Sequence, residues 1–138
     1  MRCVPASLES LEEVACYVRT LADRAGLSPR DAHRLRLAAD ELVTNIVLHG
    51  YKNREGSLIL EGGVDRERVW LRIQDEGRPF DPRAGFRPPE HGVPLAERRI
   101  GGLGIFLALS SLDDFSYEPV AGRNTSTLVV RAGPDEKI

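Results

Sequence analysis

The sequence has 138 residues, 41% of them hydrophobic and 29% charged, the composition of one soluble globular domain large enough to bury a core. Its formal net charge of −2 argues against a nucleic-acid binder, because neutralising phosphates takes a basic face. Cys3 and Cys16 are too few for a disulfide framework or a zinc site. No run approaches the roughly 20 apolar residues of a membrane span or reads as a signal peptide, so the cytoplasm is the expected location.

Taken in chain order, Ser7 to Gly26 places apolar residues at Leu8, Leu11, Val14, Ala15, Val18, Leu21, Ala22 and Ala25. That is helical spacing, and Gly26 is a natural C-terminal stop. In "SPRD", Ser28 suits a helix cap, Pro29 the first helical position and Asp31 the carboxylate of a capping box. The second helix then runs through Leu35, Ala38, Ala39, Leu42, Val43, Ile46 and Val47 to Gly50. The period changes in "SLILEG" (57–62) and "RVWLRIQD" (68–75), two strands joined by a hairpin connection. Residues 76–101 are rich in proline and glycine and read as one long irregular loop, a length usually associated with function. "GLGIFLALSSLDD" (102–114) returns to helical spacing. "FSYE" (115–118) and "TSTLVVRA" (125–132) close the chain as strands around a turn at Gly122, and the tail "GPDEKI" is expected to fray. Runs of strands without regular βαβ alternation predict an α+β two-layer sandwich, with helices on one face of a mixed, mostly antiparallel sheet.

Four stretches carry residues suited to chemistry. Glu41 and Asn45 stand at i and i+4, so they project from one side of the second helix. On one reading they are a solvated stripe. On the other, Asn45 offers a neutral hard oxygen to Mg²⁺, and Glu41 accepts a proton from a hydroxyl attacking a phosphate. Asp75 ends a strand with Gly77 two residues on. This is an ordinary turn, or else a carboxylate that accepts from an adenine amine beside a glycine that admits a ligand closely. In "RRIGGLGIF", Gly101, Gly102 and Gly104 immediately precede a helical run. Free N–H groups there form an anion site, with Arg98 and Arg99 able to add charge-assisted bonds. The stretch is neither a P-loop nor a Rossmann fingerprint. Thr125, opening the last strand, matters only if that strand lies beside the one ending in Asp75. The histidines, His33, His49 and His91, form no metal-ligand or catalytic set.

The joint order of these pieces is Glu-x-x-x-Asn on a helix, Asp-x-Gly after a strand, Gly-x-Gly opening a helix, and Thr in a final strand. It resembles the Bergerat-type (GHKL) ATP-binding fold of gyrase, heat-shock chaperone, histidine kinases and mismatch-repair proteins. Within it, "DELVTNIVLHGYKN" and "DEGRPFDP" look like the anti-sigma factors that are serine/threonine protein kinases, over roughly residues 7–132. The resemblance implies a single ATP-binding domain in which Asn45 is the Mg²⁺ ligand and Glu41 the base. It implies that Asp75, Gly77 and Thr125 hold the adenine, and that Gly102, Leu103 and Gly104 end an ATP lid over about 83–101, where Arg98 or Arg99 serves the phosphates. It further implies a homodimer that sequesters a sigma factor and phosphorylates a STAS-type antagonist, with no direct contact to nucleic acid or membrane. Many such relatives carry a second glycine where this chain has Pro79, and no arginine stands directly beside the lid glycines, where this chain has Ile100. A catalytically inactive nucleotide-binding switch is therefore the alternative, and the ATP-binding half of a sensor kinase a more distant one.

Overall fold

Strand β3 (Arg68–Asp75) buries every second residue, Val69, Leu71, Ile73 and Asp75, as a strand covered on one face must. That parity organises the whole domain. A computed structural model describes residues 1–52, 54–79, 81–82 and 100–132, with side chains from 104 onward in the last range. Among the described residues the other elements are β1 (Arg2–Pro5), α1 (Leu11–Ala25), α2 (Pro29–Asn45), β2 (Ser57–Asp65), α3 (Ile100–Ser110), β4 (Asp114–Val120) and β5 (Arg123–Arg131). The sheet order is β1-β2-β3-β5-β4, and all four pairings are antiparallel. The helices lie on one face, so the expected α+β sandwich is found.

The core joins Val14 and Val18 of α1 and Leu35, Leu42 and Val43 of α2 to Leu58, Leu60, Leu71, Ile73 and Leu128 of the sheet. Local signals set the helix ends. Gly26 closes α1 at φ 67° and donates to Ala22 and Asp23, the left-handed stop that glycine adopts freely. Ser28 caps α2, its hydroxyl accepting from Asp31 N at 3.2 Å. The Asp31 carboxylate, expected to close a capping box, instead accepts from Arg34 at 3.0 and 3.2 Å. Arg34 also donates to the Ser111 carbonyl and to Asp113 at 3.2 Å, which ties the end of α3 to the start of α2.

Several boundaries differ from expectation: α3 spans Ile100–Ser110 rather than 102–114, β4 Asp114–Val120 rather than 115–118, and β5 Arg123–Arg131 rather than 125–132. β1 was not foreseen, because four residues of "RCVP" carry too little alternation to register. The first helix accordingly starts at Leu11, after a 3₁₀ turn over Leu8–Ser10. β2 runs on to Asp65, so the hairpin loop is only Arg66 and Glu67, with Arg66 at φ 57°. α2 does not run uniformly to Gly50, since its last turn, Ile46–Gly50, is π-helical. Most of the expected 76–101 loop lies outside the described residues.

Candidate functional site

The buried row of β3 ends in a charge. Asp75 occupies the position that Leu71 and Ile73 occupy earlier in the strand and is only 4% exposed. Its register partner across the ladder is Asn124 of β5, itself 2% exposed. Asp75 Oδ1 accepts from Asn124 Nδ2 at 2.8 Å and from Gly77 N at 2.9 Å. Asn124 Nδ2 also donates to the Gly77 carbonyl at 3.0 Å, and its Oδ1 accepts from the Tyr117 hydroxyl at 3.2 Å. Burial pushes the Asp75 carboxyl above its ordinary pKa, while the bonds from Asn124 and Gly77 pull it part of the way back.

Helix α2 covers this sheet end and brings its own polar groups. Leu42, Asn45 and Ile46 line one cleft with Asp75, Asn124 and Ser126. Asn45 Oδ1 and Ser126 Oγ are both buried there without a hydrogen-bond partner among the described residues, a cost a fold seldom carries unless another group completes the site. Asn45 Oδ1 is a neutral hard oxygen, so the residue fits a Mg²⁺ ion that keeps water and phosphate oxygens as its other ligands. Among the described residues no three His, Cys, Asp or Glu side chains gather for a metal.

The π-helical turn places Gly50 directly against Gly77. A Cβ on Gly77 would lie 2.9 Å from the Gly50 carbonyl carbon, so this crossing requires glycine. Arg78 N donates to Gly50 O at 3.0 Å. Tyr51 locks the same corner, donating to Ser57 O at 2.9 Å and accepting from Glu76 N at 2.7 Å. Turns of this π type recur at functional sites.

Glu41 lies one turn before Asn45 and reaches α3. A Cβ on Gly104 would come within 3.2 and 3.3 Å of its two carboxylate oxygens. Asp40, beside it, has its pKa raised by burial and partly restored by Arg36, whose Nε is 3.8 Å away.

The structure thus brings Asn45 and Asp75 into one cleft, sets Gly77 against Asp75 and places Glu41 against Gly104. Gly102 and Leu103 lie in the first turn of α3, and Arg98 and Arg99 lie outside the described residues. Thr125 is not brought in. It pairs with Gln74, whose Nε2 donates to its hydroxyl at 3.3 Å, on the face of the sheet away from Asp75. One step of strand parity separates it from Asn124 and Ser126, which do line the cleft. The sequence reading missed those two because "LVV" (128–130) is an unbroken apolar run, and the polar run before it does not alternate, which hides which residues face the helices. Counting back in twos from buried Leu128 would have found them.

The protein-family model described as the histidine kinase-like ATPase domain matches residues 4–130. Serine-protein kinase RsbW of Listeria innocua is 32% identical over 115 residues, covering 80% of this chain and 73% of that protein. The Bacillus cereus protein of the same name is 28% identical over 114 residues, covering 80% and 71%. Among solved structures, the blue-light activated histidine kinase of Erythrobacter litoralis EL346 superposes with a TM-score of 0.59 at 14% identity, over 91% of this chain. This chain spans 43% of that kinase's length. The histidine kinase AdeS of Acinetobacter baumannii gives 0.51 at 16% identity, over 96% of this chain and 68% of its own. At such identities the two structures speak for the fold alone. No helix among the described residues is long and apolar enough to cross a membrane. The match over nearly the whole chain and the fold agree with the motif order: the chain belongs to the histidine kinase-like ATPase domain family, in its branch of serine-protein kinases.

Proposed function

We propose that the cleft between α2 and the ends of β3 and β5 binds ATP with Mg²⁺, and that the chain transfers the γ-phosphoryl group to a serine or threonine of a STAS-type antagonist. In the same reading it sequesters a sigma factor as a homodimer in the cytoplasm, and phosphorylation of the antagonist decides which partner it holds. The observation that carries the proposal is that Asp75 and Asn45 line one cleft, the second with an oxygen left unbonded.

The roles follow from chemistry. Asp75 accepts from the exocyclic amine of adenine. Gly77 lets the base approach, and Ser126, rather than Thr125, supplies the hydroxyl beside it. The N–H groups of Gly102 and Leu103, in the first turn of α3 (Ile100–Ser110), have no intrahelical partners and suit phosphate oxygens, with Arg98 and Arg99 adding positive charge. Magnesium, when bound to Asn45 Oδ1, offsets the phosphate charge. The serine hydroxyl oxygen attacks the γ-phosphorus, the bond to the bridging oxygen of ADP breaks, and Glu41 takes the hydroxyl proton. Gly104 leaves room for that carboxylate. Positioning and charge neutralisation supply most of the rate in phosphoryl transfer.

Pro79 supports a second reading, a switch that binds nucleotide without turnover, because proline removes one backbone donor from the loop after Asp75. Thermal unfolding with ADP or ATP tests binding, with about 2.7 kcal/mol of stabilisation expected at 100 times the dissociation constant. Incubation with ATP, Mg²⁺ and a STAS-type protein then separates the readings: phosphate on its serine or threonine supports the kinase, and nucleotide binding without transfer supports the switch.

A further inference from the structure

The Asp75 carboxylate is unevenly committed. A carboxylate oxygen accepts about two hydrogen bonds, one per lone pair. Oδ1 has both of its own filled, by Gly77 N at 2.9 Å and Asn124 Nδ2 at 2.8 Å. Oδ2 takes no bond from any described residue. Asn124 is fixed in this task. It spends its second N–H on the Gly77 carbonyl at 3.0 Å, and its amide cannot turn over without setting Oδ1 against two acceptors, Asp75 Oδ1 and the Gly77 carbonyl, while as placed its Oδ1 accepts from the Tyr117 hydroxyl. At 2% exposure it has no water to fall back on.

A carboxylate can meet a purine edge in two ways. With both oxygens open it pairs with two parallel donors, which is what guanine presents through its ring N1–H and its exocyclic amine. With one oxygen open it satisfies a single exocyclic amine, which is all adenine offers. Resting on the nucleotide-binding reading above, we propose that Asn124 is a specificity-determining residue: by filling the second lone pair of Asp75 Oδ1 it leaves the Asp75 carboxylate one open oxygen for the base edge and so selects adenine over guanine. Asn124 touches the carboxylate and acts on the base through it. Tyr117, which orients the Asn124 amide, supports the same selection from the rim. A polar residue needed only for folding would weaken both nucleotides together, whereas this role predicts a change in their ratio. The ratio is set because a site lacking one partner for a donor of guanine leaves that donor unpaired in a desolvated place.

The test is titration calorimetry of ADP and GDP on the unaltered protein, Asn124→Ala and Tyr117→Phe, each first shown folded by its thermal transition. The unaltered protein is expected to prefer ADP. Asn124→Ala, which frees a lone pair on Oδ1, is expected to narrow the ADP-to-GDP ratio by about tenfold, the scale of one hydrogen bond to a charged group. Tyr117→Phe keeps Asn124 and is expected to narrow it less; should Asn124→Ala not fold, this variant decides alone. ADP binding with an unchanged ratio in the folded variants overturns the role of Asn124 and leaves the nucleotide site standing, as does equal affinity of the unaltered protein for ADP and GDP. Failure of the unaltered protein to bind ADP overturns the nucleotide site, and this selection with it.

Discussion

Replacing Asp75 by asparagine separates what the residue does for folding from what it does for binding. The carboxylate is 4% exposed and burial raises its pKa, so holding it ionised near pH 7 works against folding. The sign follows from proton linkage. The folded state keeps the proton to a higher pH than the unfolded chain, so this group's favourable contribution is complete below its unfolded pKa. It is lost as pH rises through the raised folded value. An asparagine carbonyl at the Oδ1 position still accepts from Gly77 N and Asn124 Nδ2, so both existing bonds survive and the charge disappears. The variant should be at least as stable as the parent at pH 7, and its stability should change less between about pH 4 and pH 7. Binding should suffer, because the amide nitrogen then replaces the one open acceptor and faces the adenine amine with a second donor. Losing a hydrogen bond to a charged group costs roughly 1.5–3 kcal/mol, which is about ten- to a hundredfold in dissociation constant. Thermal unfolding from pH 4 to 7, with ADP titrations at pH 7, measures both halves. A variant that binds ADP within threefold of the parent refutes the role given to the carboxylate. One that unfolds many degrees lower shows that the charge itself holds the corner together.

Two further substitutions probe the transfer step. Glu41→Gln should leave nucleotide affinity nearly unchanged and slow phosphate transfer to the antagonist by about 10²- to 10⁴-fold, the range for general acid–base catalysis; transfer at the parental rate removes Glu41 as the proton acceptor. Gly104→Ala should not lower the unfolding temperature, since alanine favours the helix by up to about 1 kcal/mol and the three atoms nearest its Cβ belong to the end of the flexible Glu41 side chain, from 3.2 Å. Moving that carboxylate should nevertheless slow transfer at least tenfold (a 1 Å misplacement can cost about 10²), read in the same phosphorylation assay at saturating ATP.

The parts of this site that the sequence exposed are those with a period or a punctuation mark. Glu41 and Asn45 stand out because they are polar residues at i and i+4 flanking the apolar face of an amphipathic helix. Asp75 stands out because a charge ends the regular alternation of "RVWLRIQD", whose bounds 68–75 match β3. Gly26, Ser28 and Gly122 mark their turns, Gly122 at φ 79° after Ala121 at φ 55°. What stayed hidden depends on pairing. Asn124 becomes the partner of Asp75 only through the β3–β5 register, and a slip of one residue would put Thr125 there instead. Nothing in "NIVLHG" announces a π-helical turn, since a single five-residue turn at a helix end is too short to leave its own period in the apolar spacing. The contact between Gly50 and Gly77 is likewise a product of tertiary packing between distant segments.

The central claim is that one cleft seats a purine at Asp75 and a magnesium ion at Asn45, and calorimetric titration of ADP with and without Mg²⁺ tests it most directly, on the parent and on Asn45→Ala. The account predicts that the parent takes up ADP, more tightly with the metal, and that Asn45→Ala still binds ADP but gains nothing from Mg²⁺. A folded parent that releases no heat with ADP, or an Asn45→Ala variant with the full metal enhancement, contradicts it.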